Sequence, residues 1–165
     1  MKQRSVSNFI KFTLVLVGLA LFCGCSKRSA PSPLKTAMDA MRQEETLTAG
    51  YFQGDAAQAR KSLGELIQYY QDPKTKLLTP DARAKQIYET YYRVFVLEKR
   101  TGNEGEAEAA LAKMREWRQR FFQLANVPDQ DGGTLTPERI QERVDEMDKR
   151  QNRGQLPHYV QTLAR

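Results

Sequence analysis

Twice this chain sets threonine, proline and an acid in succession, at Thr79-Pro80-Asp81 and again at Thr136-Pro137-Glu138. Each triplet is a helix start. The threonine hydroxyl can accept from a free amide of the first turn. Proline supplies the φ of the first helical position and needs no donor there, and the acid complements the positive end of the helix. Elsewhere no alternating strand pattern runs along the chain, and no Asn-Gly or Asp-Gly turn joins β-branched stretches. The expectation is an all-α fold.

Apolar spacing divides the chain into about five helices. They are expected over Leu34 to Phe52, Asp55 to Gln71, Thr79 to Arg100, Asn103 to Ala125 and Thr136 to Asn152. Asp72-Pro73 closes the second, because proline disfavours helix in the residue before it. The third places Ala84, Ile87, Tyr88, Tyr91, Val94, Phe95 and Leu97 on one broad face. The fourth does so with Ala107, Leu111, Met114, Phe121 and Ala125. The fifth has only the stripe Ile140, Val144 and Met147 on an otherwise charged surface, which suits packing on a single neighbour. Leu135 and Ile140 are set as a hydrophobic staple around its start. Val127 to Gly133 is expected to be a loop, and the tail from Gly154 to be only partly ordered.

The halves of this region overlay at an offset of 48 residues. Gly54-Asp55 is followed by Ala59, Leu63, Leu66 and Tyr69; Gly102-Asn103 is followed by Ala107, Leu111, Met114 and Trp117. A glycine at a helix end can turn left-handed and reverse the chain, and Asp55 or Asn103 can then cap the next helix. The alanine permits close helix approach, and the larger residues fill the same face. The segments AGYFQGDAAQARKSLGELIQYYQDP and LEKRTGNEGEAEAALAKM resemble tetratricopeptide repeats over 45–72 and 88–122. That resemblance implies antiparallel helical hairpins stacked with a right-handed twist. The same spacing also suits an irregular helical bundle.

Ahead of this domain, FTLVLVGLALF from Phe12 to Phe22 is an apolar run of 11 residues. A spanning helix needs about 20. Lys2, Arg4 and Lys11 precede the run without an acid, the order of an export signal. Phe22-Cys23-Gly24-Cys25 resembles the cleavage box of bacterial lipoproteins, with Cys25 as the acylated residue. The resemblance implies a signal over 1–24, a diacylglyceryl group on the Cys25 thiol and an acylated new amino terminus. More than one chain on one residue makes a lasting anchor in the lipid bilayer. Ser26, where an aspartate would favour retention at the inner membrane, implies the outer membrane, facing the periplasm. SKRSAPSP over 26–33 reads as a flexible tether, leaving a domain over 34–153 and a tail over 154–165.

Cleavage there changes the charge and the chemistry. The chain carries 26 basic and 20 acidic residues, and three of the basic ones lie in the signal, so the mature net charge is +3. That is too small an excess to point to nucleic acid, and none is expected as a partner. Cys23 leaves with the signal and Cys25 takes the lipid, so no thiol remains for a disulfide, a metal or a nucleophile. His158 is the only histidine. Thiol–histidine and serine–histidine catalysis, histidine-rich metal sites and glycine-rich phosphate loops are therefore not expected. No catalytic, cofactor or metal residue is assigned, and the chain is expected not to be an enzyme. Glu104, Glu106 and Glu108 read as dipole complements on a solvated face. DQDGG lacks the further acid of a calcium loop.

What remains is a set of aromatic and arginine side chains. Tyr69-Tyr70, Tyr91-Tyr92, Trp117 and Phe121-Phe122 come as near neighbours, interleaved with Arg93, Arg100, Arg115, Arg118 and Arg120. Adjacent residues point about 100° apart, so one of each pair can be core and the other partly exposed. Tyrosine, tryptophan and arginine are enriched where proteins bind proteins. Tyr70, Tyr92, Arg115, Trp117 and Arg118 are the expected partner-binding surface. The expected function is an envelope lipoprotein that docks another envelope protein or peptide in assembly, secretion or scaffolding. The alternatives are a cell-wall enzyme with paired carboxylates and a structural envelope lipoprotein without a specific partner.

Overall fold

The computed structural model of the chain describes residues 33–73, 78–129 and 135–164. The signal, Cys25 and nearly all of the tether lie outside them, as does most of the DQDGG segment. Among the described residues there are six helices and no strands. They are α1 (Pro33–Gln53), α2 (Ala56–Gln71), α3 (Pro80–Arg100), α4 (Glu104–Ala125), α5 (Pro137–Gln151) and α6 (His158–Leu163). The fold is all-α, and its first five helices lie where the apolar spacing puts them.

Both Thr-Pro-acid starts form. Thr79 Oγ1 accepts from the Ala82 amide and Thr136 Oγ1 from the Arg139 amide, with proline following each. Asp55 caps α2 through the Gln58 amide at 2.8 Å. Asn103 departs from its expected role: its side chain makes no cap bond to α4. Its amide donates instead to Glu98 Oε2 at 2.7 Å, drawn by the charge of a carboxylate on the preceding helix. The two hairpin glycines also differ. Gly102 sits at φ 77°. There it ends α3 with Asn103 N–H bonded to the Glu98 carbonyl and Gly102 N–H to that of Lys99, the paired closure of a left-handed helix end. Gly54 is not left-handed. Its constraint is space, because a Cβ there would come within 2.6 Å of the Gln58 side chain and of the Gly50 carbonyl.

α3 is the central helix. α2, α4 and α5 all pack on it, with α4 in the most extensive contact, while α1 packs on α2 and α6 on α1. Two apolar clusters result. One gathers Tyr51, Phe52, Ala59, Leu63, Leu66, Ile87, Leu97 and Tyr159; the other gathers Tyr88, Phe95, Val96, Ala107, Met114, Ile140 and Val144. Trp117, Tyr91 and Val94 touch both. The two alanines of the internal overlay, Ala59 and Ala107, are both fully buried, as close helix approach requires. The α5 stripe is narrow, with Ile140 and Val144 enclosed and Leu135 packed beside them, but its third enclosed residue is Asp148 and not Met147, which is only half-buried.

The tail departs from its expectation. Residues 158–163 form α6, and Tyr159 is fully buried against Tyr51 at a ring distance of 6.0 Å. An apolar ring that completes the first cluster orders this segment.

Inside this packing lies a buried polar clasp. Asp148 of α5 accepts from the Tyr51 hydroxyl of α1 at 2.6 Å and from Arg93 Nε of α3 at 2.8 Å. Arg93 also reaches Gln151 Oε1 at 2.6 Å and stands 5.7 Å over the Tyr51 ring. Burial pushes the Asp148 carboxyl up while the Arg93 charge and the Tyr51 bond oppose that shift. Burial likewise raises the Tyr51 hydroxyl far above the ordinary phenol range. One turn away, Arg100 donates to both oxygens of Asp145 at 2.9 Å, tying α3 to α5 a second time.

Candidate functional site

α4 repeats the side chains Met114, Arg118 and Phe122 at four-residue spacing, so they stack along one face. The helix then ends at Asn126, in the left-handed conformation at φ 53°, ψ 42°. Asparagine is among the few non-glycine residues that adopt it readily. The turn closes with Val127 N–H on the Phe122 carbonyl at 3.3 Å and sends the chain back along α4. Asp129 is thereby brought onto Arg118, to which it is hydrogen-bonded. Leu135, just before α5, lines the other side.

Between helix and returning chain lies a groove of about 410 Å³. Met114, Phe122, Val127 and Leu135 give it an apolar lining; Arg115, Gln119 and Gln123 stand along its edge on the neighbouring face of α4. Arg118 is nearly enclosed, with its guanidinium 5.4 Å over the Phe122 ring. A cation over a ring and on a carboxylate is fixed in orientation, so the groove has a preset wall. Such a groove suits an apolar side chain of a partner, with arginine and amide groups at the margin for its backbone. Among the described residues its one carboxylate, Asp129, is engaged by Arg118.

The five residues expected to form a binding surface are placed differently from one another. Arg115 and Arg118 share the groove. Trp117 is half-buried on another face of α4, packed on both apolar clusters, with Arg120 4.8 Å over its ring. Tyr70 and Tyr92 are core residues, so their rings are closed to a partner. Tyr70 donates to Glu44 Oε1 at 2.6 Å, and burial first, then that bond, raises its hydroxyl beyond the usual phenol range. Tyr92 packs edge-on to Tyr88 at 5.6 Å with Arg143 over its face. In each tyrosine pair the second member is the buried one, and Tyr69 and Tyr91 keep the partial exposure.

Sequence reasoning missed Met114, Phe122, Val127, Asp129 and Leu135 as groove residues. The signal available was the pairing of a four-residue α4 stripe with an asparagine directly after the helix. Among the described residues no three acidic, histidine or cysteine side chains gather in a metal-binding cluster. His158 stands exposed at the start of α6. Comparison with protein families, with curated proteins and with solved structures gives no match to this chain.

Proposed function

We propose that this chain is a lipid-anchored envelope lipoprotein whose helical domain docks another envelope protein or peptide. The α4 groove carries this reading: an apolar trough of about 410 Å³, edged by Arg115 and bounded by the fixed Arg118–Asp129 pair. An apolar anchor pocket with a polar margin is the arrangement in which interface energy concentrates. The Phe12–Cys25 segment supports the address, with the thiol of Cys25 as the acylated atom. The helical hairpins support a stacked-hairpin scaffold of the tetratricopeptide kind, in which helix faces rather than reactive side chains do the binding.

Two measurements test it. Cys25→Ser should release the protein from the membrane fraction or leave it uncleaved, and continued anchoring through lipid would sink the lipoprotein assignment. A photo-crosslinking residue at Gln119 should capture a defined protein in intact cells, while the same residue at Glu65, exposed on α2, should not. Equal capture at both positions, or none at Gln119, counts against the groove as the docking face.

A further inference from the structure

α1 and the end of α5 border a polar cleft of about 860 Å³ that shares no lining residue with the α4 groove. Against it lies an inner recess of about 90 Å³. Glu44, Thr48, Phe52 and Gln151 line both, so the recess adjoins the cleft along a shared wall. We infer that this cleft takes the ammonium group of a lysine side chain presented by a partner protein.

The charges in the recess decide the sign. Arg93 lines it, but its charge is met by Asp148 at 2.8 Å, and one of its remaining N–H groups is turned to Gln151. Glu44 has no cationic partner among the described residues; its one bond is from the Tyr70 hydroxyl. The wall therefore keeps one uncompensated negative charge. In the outer cleft Glu45 and Arg153 offset one another, so the net negative charge is that of Glu44.

The geometry then separates ammonium from guanidinium. A guanidinium binds a carboxylate best with a planar fork on both oxygens. At Glu44 one oxygen is already occupied by Tyr70. An ammonium is a compact point charge with three rotatable donors and needs only one carboxylate oxygen. Further acceptors, the Thr48 hydroxyl and the Gln86 amide oxygen, also line the recess. A lysine stem is apolar and can lie along Phe52, whose ring also attracts the charge. A recess of about 90 Å³ admits such a group and little else. This site lies apart from the α4 groove and stands whether or not that groove docks a partner.

The test uses the full chain in detergent micelles and a short end-blocked peptide with one central lysine, followed by amide chemical shifts. Saturable shifts are expected at Thr48, Phe52 and Gln151. The same peptide with Nε-acetyl-lysine should bind at least tenfold more weakly, and an arginine peptide should also be weaker. Glu44→Gln should lose binding by a similar factor. Tyr70→Phe, which removes the competing bond and keeps the ring in the core, should hold or tighten it. Equal binding of the acetylated peptide, or shifts confined to Arg115 and Gln119, would overturn the proposal.

Discussion

The Tyr51 hydroxyl donates to Asp148 Oδ2 at 2.6 Å across 97 residues of chain. The same carboxylate accepts from Arg93, so one buried anion joins α1, α3 and α5. Removing one partner leaves the others in a site they cannot leave. Asp148→Ala strands the Arg93 guanidinium and should cost about 3–5 kcal/mol. Tyr51→Phe removes a single donor and should cost about 1–3 kcal/mol. Urea unfolding of the three proteins checks both. Because a buried pair is often replaceable by apolar residues, Arg93→Met with Asp148→Leu should recover much of the single-mutant loss.

Glu98 and Asp148 should pull the stability in opposite directions as pH changes. Hydrogen bonds from Arg60, then from Asn103 and Thr101, hold the Glu98 carboxyl below its usual range against the effect of burial. A lowered folded pKa gives stability that is present above the unfolded value and lost as pH falls through the folded one. Burial raises Asp148, so its net contribution is greatest at low pH and shrinks as pH climbs through the raised value. Between pH 6 and 3 the urea midpoint should fall less steeply in Glu98→Gln than in the parent. It should fall more steeply in Asp148→Asn. The slope is the readout, since both substitutions also lower the overall level.

Two glycines should respond to alanine with opposite signs. At Gly54 the new Cβ would lie within 2.6 Å of Gln58 and of a backbone oxygen, so the α1–α2 turn must open. A loss of about 1–3 kcal/mol is expected, as for other overpacked positions. Gly64, inside α2, has open space where a Cβ would go. Gly64→Ala should stabilise by about 0.5–1 kcal/mol through helix propensity. Thermal melts of the two variants, run side by side, distinguish these outcomes.

Tyr159 should matter as much as any core residue of the longer helices. Its ring is enclosed with Tyr51 in the first apolar cluster. Tyr159→Ala should cost about 3–5 kcal/mol, the range for emptying a buried aromatic site. A chain cut before Pro157 should lose a similar amount. If either variant unfolds at the parent urea midpoint, α6 is not part of the core.

Much of this architecture was legible because it is written locally. Thr79, Thr136 and Asp55 announce helix starts through chemistry that acts within three residues. The face of α5 follows from Ile140 and Val144 alone. Non-local choices were less legible. In Tyr69-Tyr70 and Tyr91-Tyr92 the sequence implies one inward and one outward ring; which is which depends on where the neighbouring helix lies around the axis. That unknown placed Tyr70 and Tyr92 on an expected surface when both are core. Asn103 looked like a cap because asparagine caps helices, and a carboxylate five residues earlier captured it instead. α6 is too short for periodicity to register, and only Tyr159 carries its packing. The groove was half-visible through Arg115 and Arg118, while its far wall depended on Asn126 turning the chain back.

The clasp also imposes an order of events. α1 comes first in the domain, yet the Tyr51 hydroxyl finds its acceptor, and the ring its Tyr159 neighbour, only when the last segment arrives. A nascent chain carrying α1 to α4 can form local hairpins but leaves the α1 end without its hydroxyl acceptor and its ring neighbour. Contacts of such long sequence separation carry a larger loop-closure cost than the local hairpins do. α1 can pack on α2 early, but its Tyr51 end is completed only when the far segment returns to it. Pulse proteolysis of truncated chains checks this order, and full protection of the Tyr51 end of α1 should appear only once residues 148–160 are present.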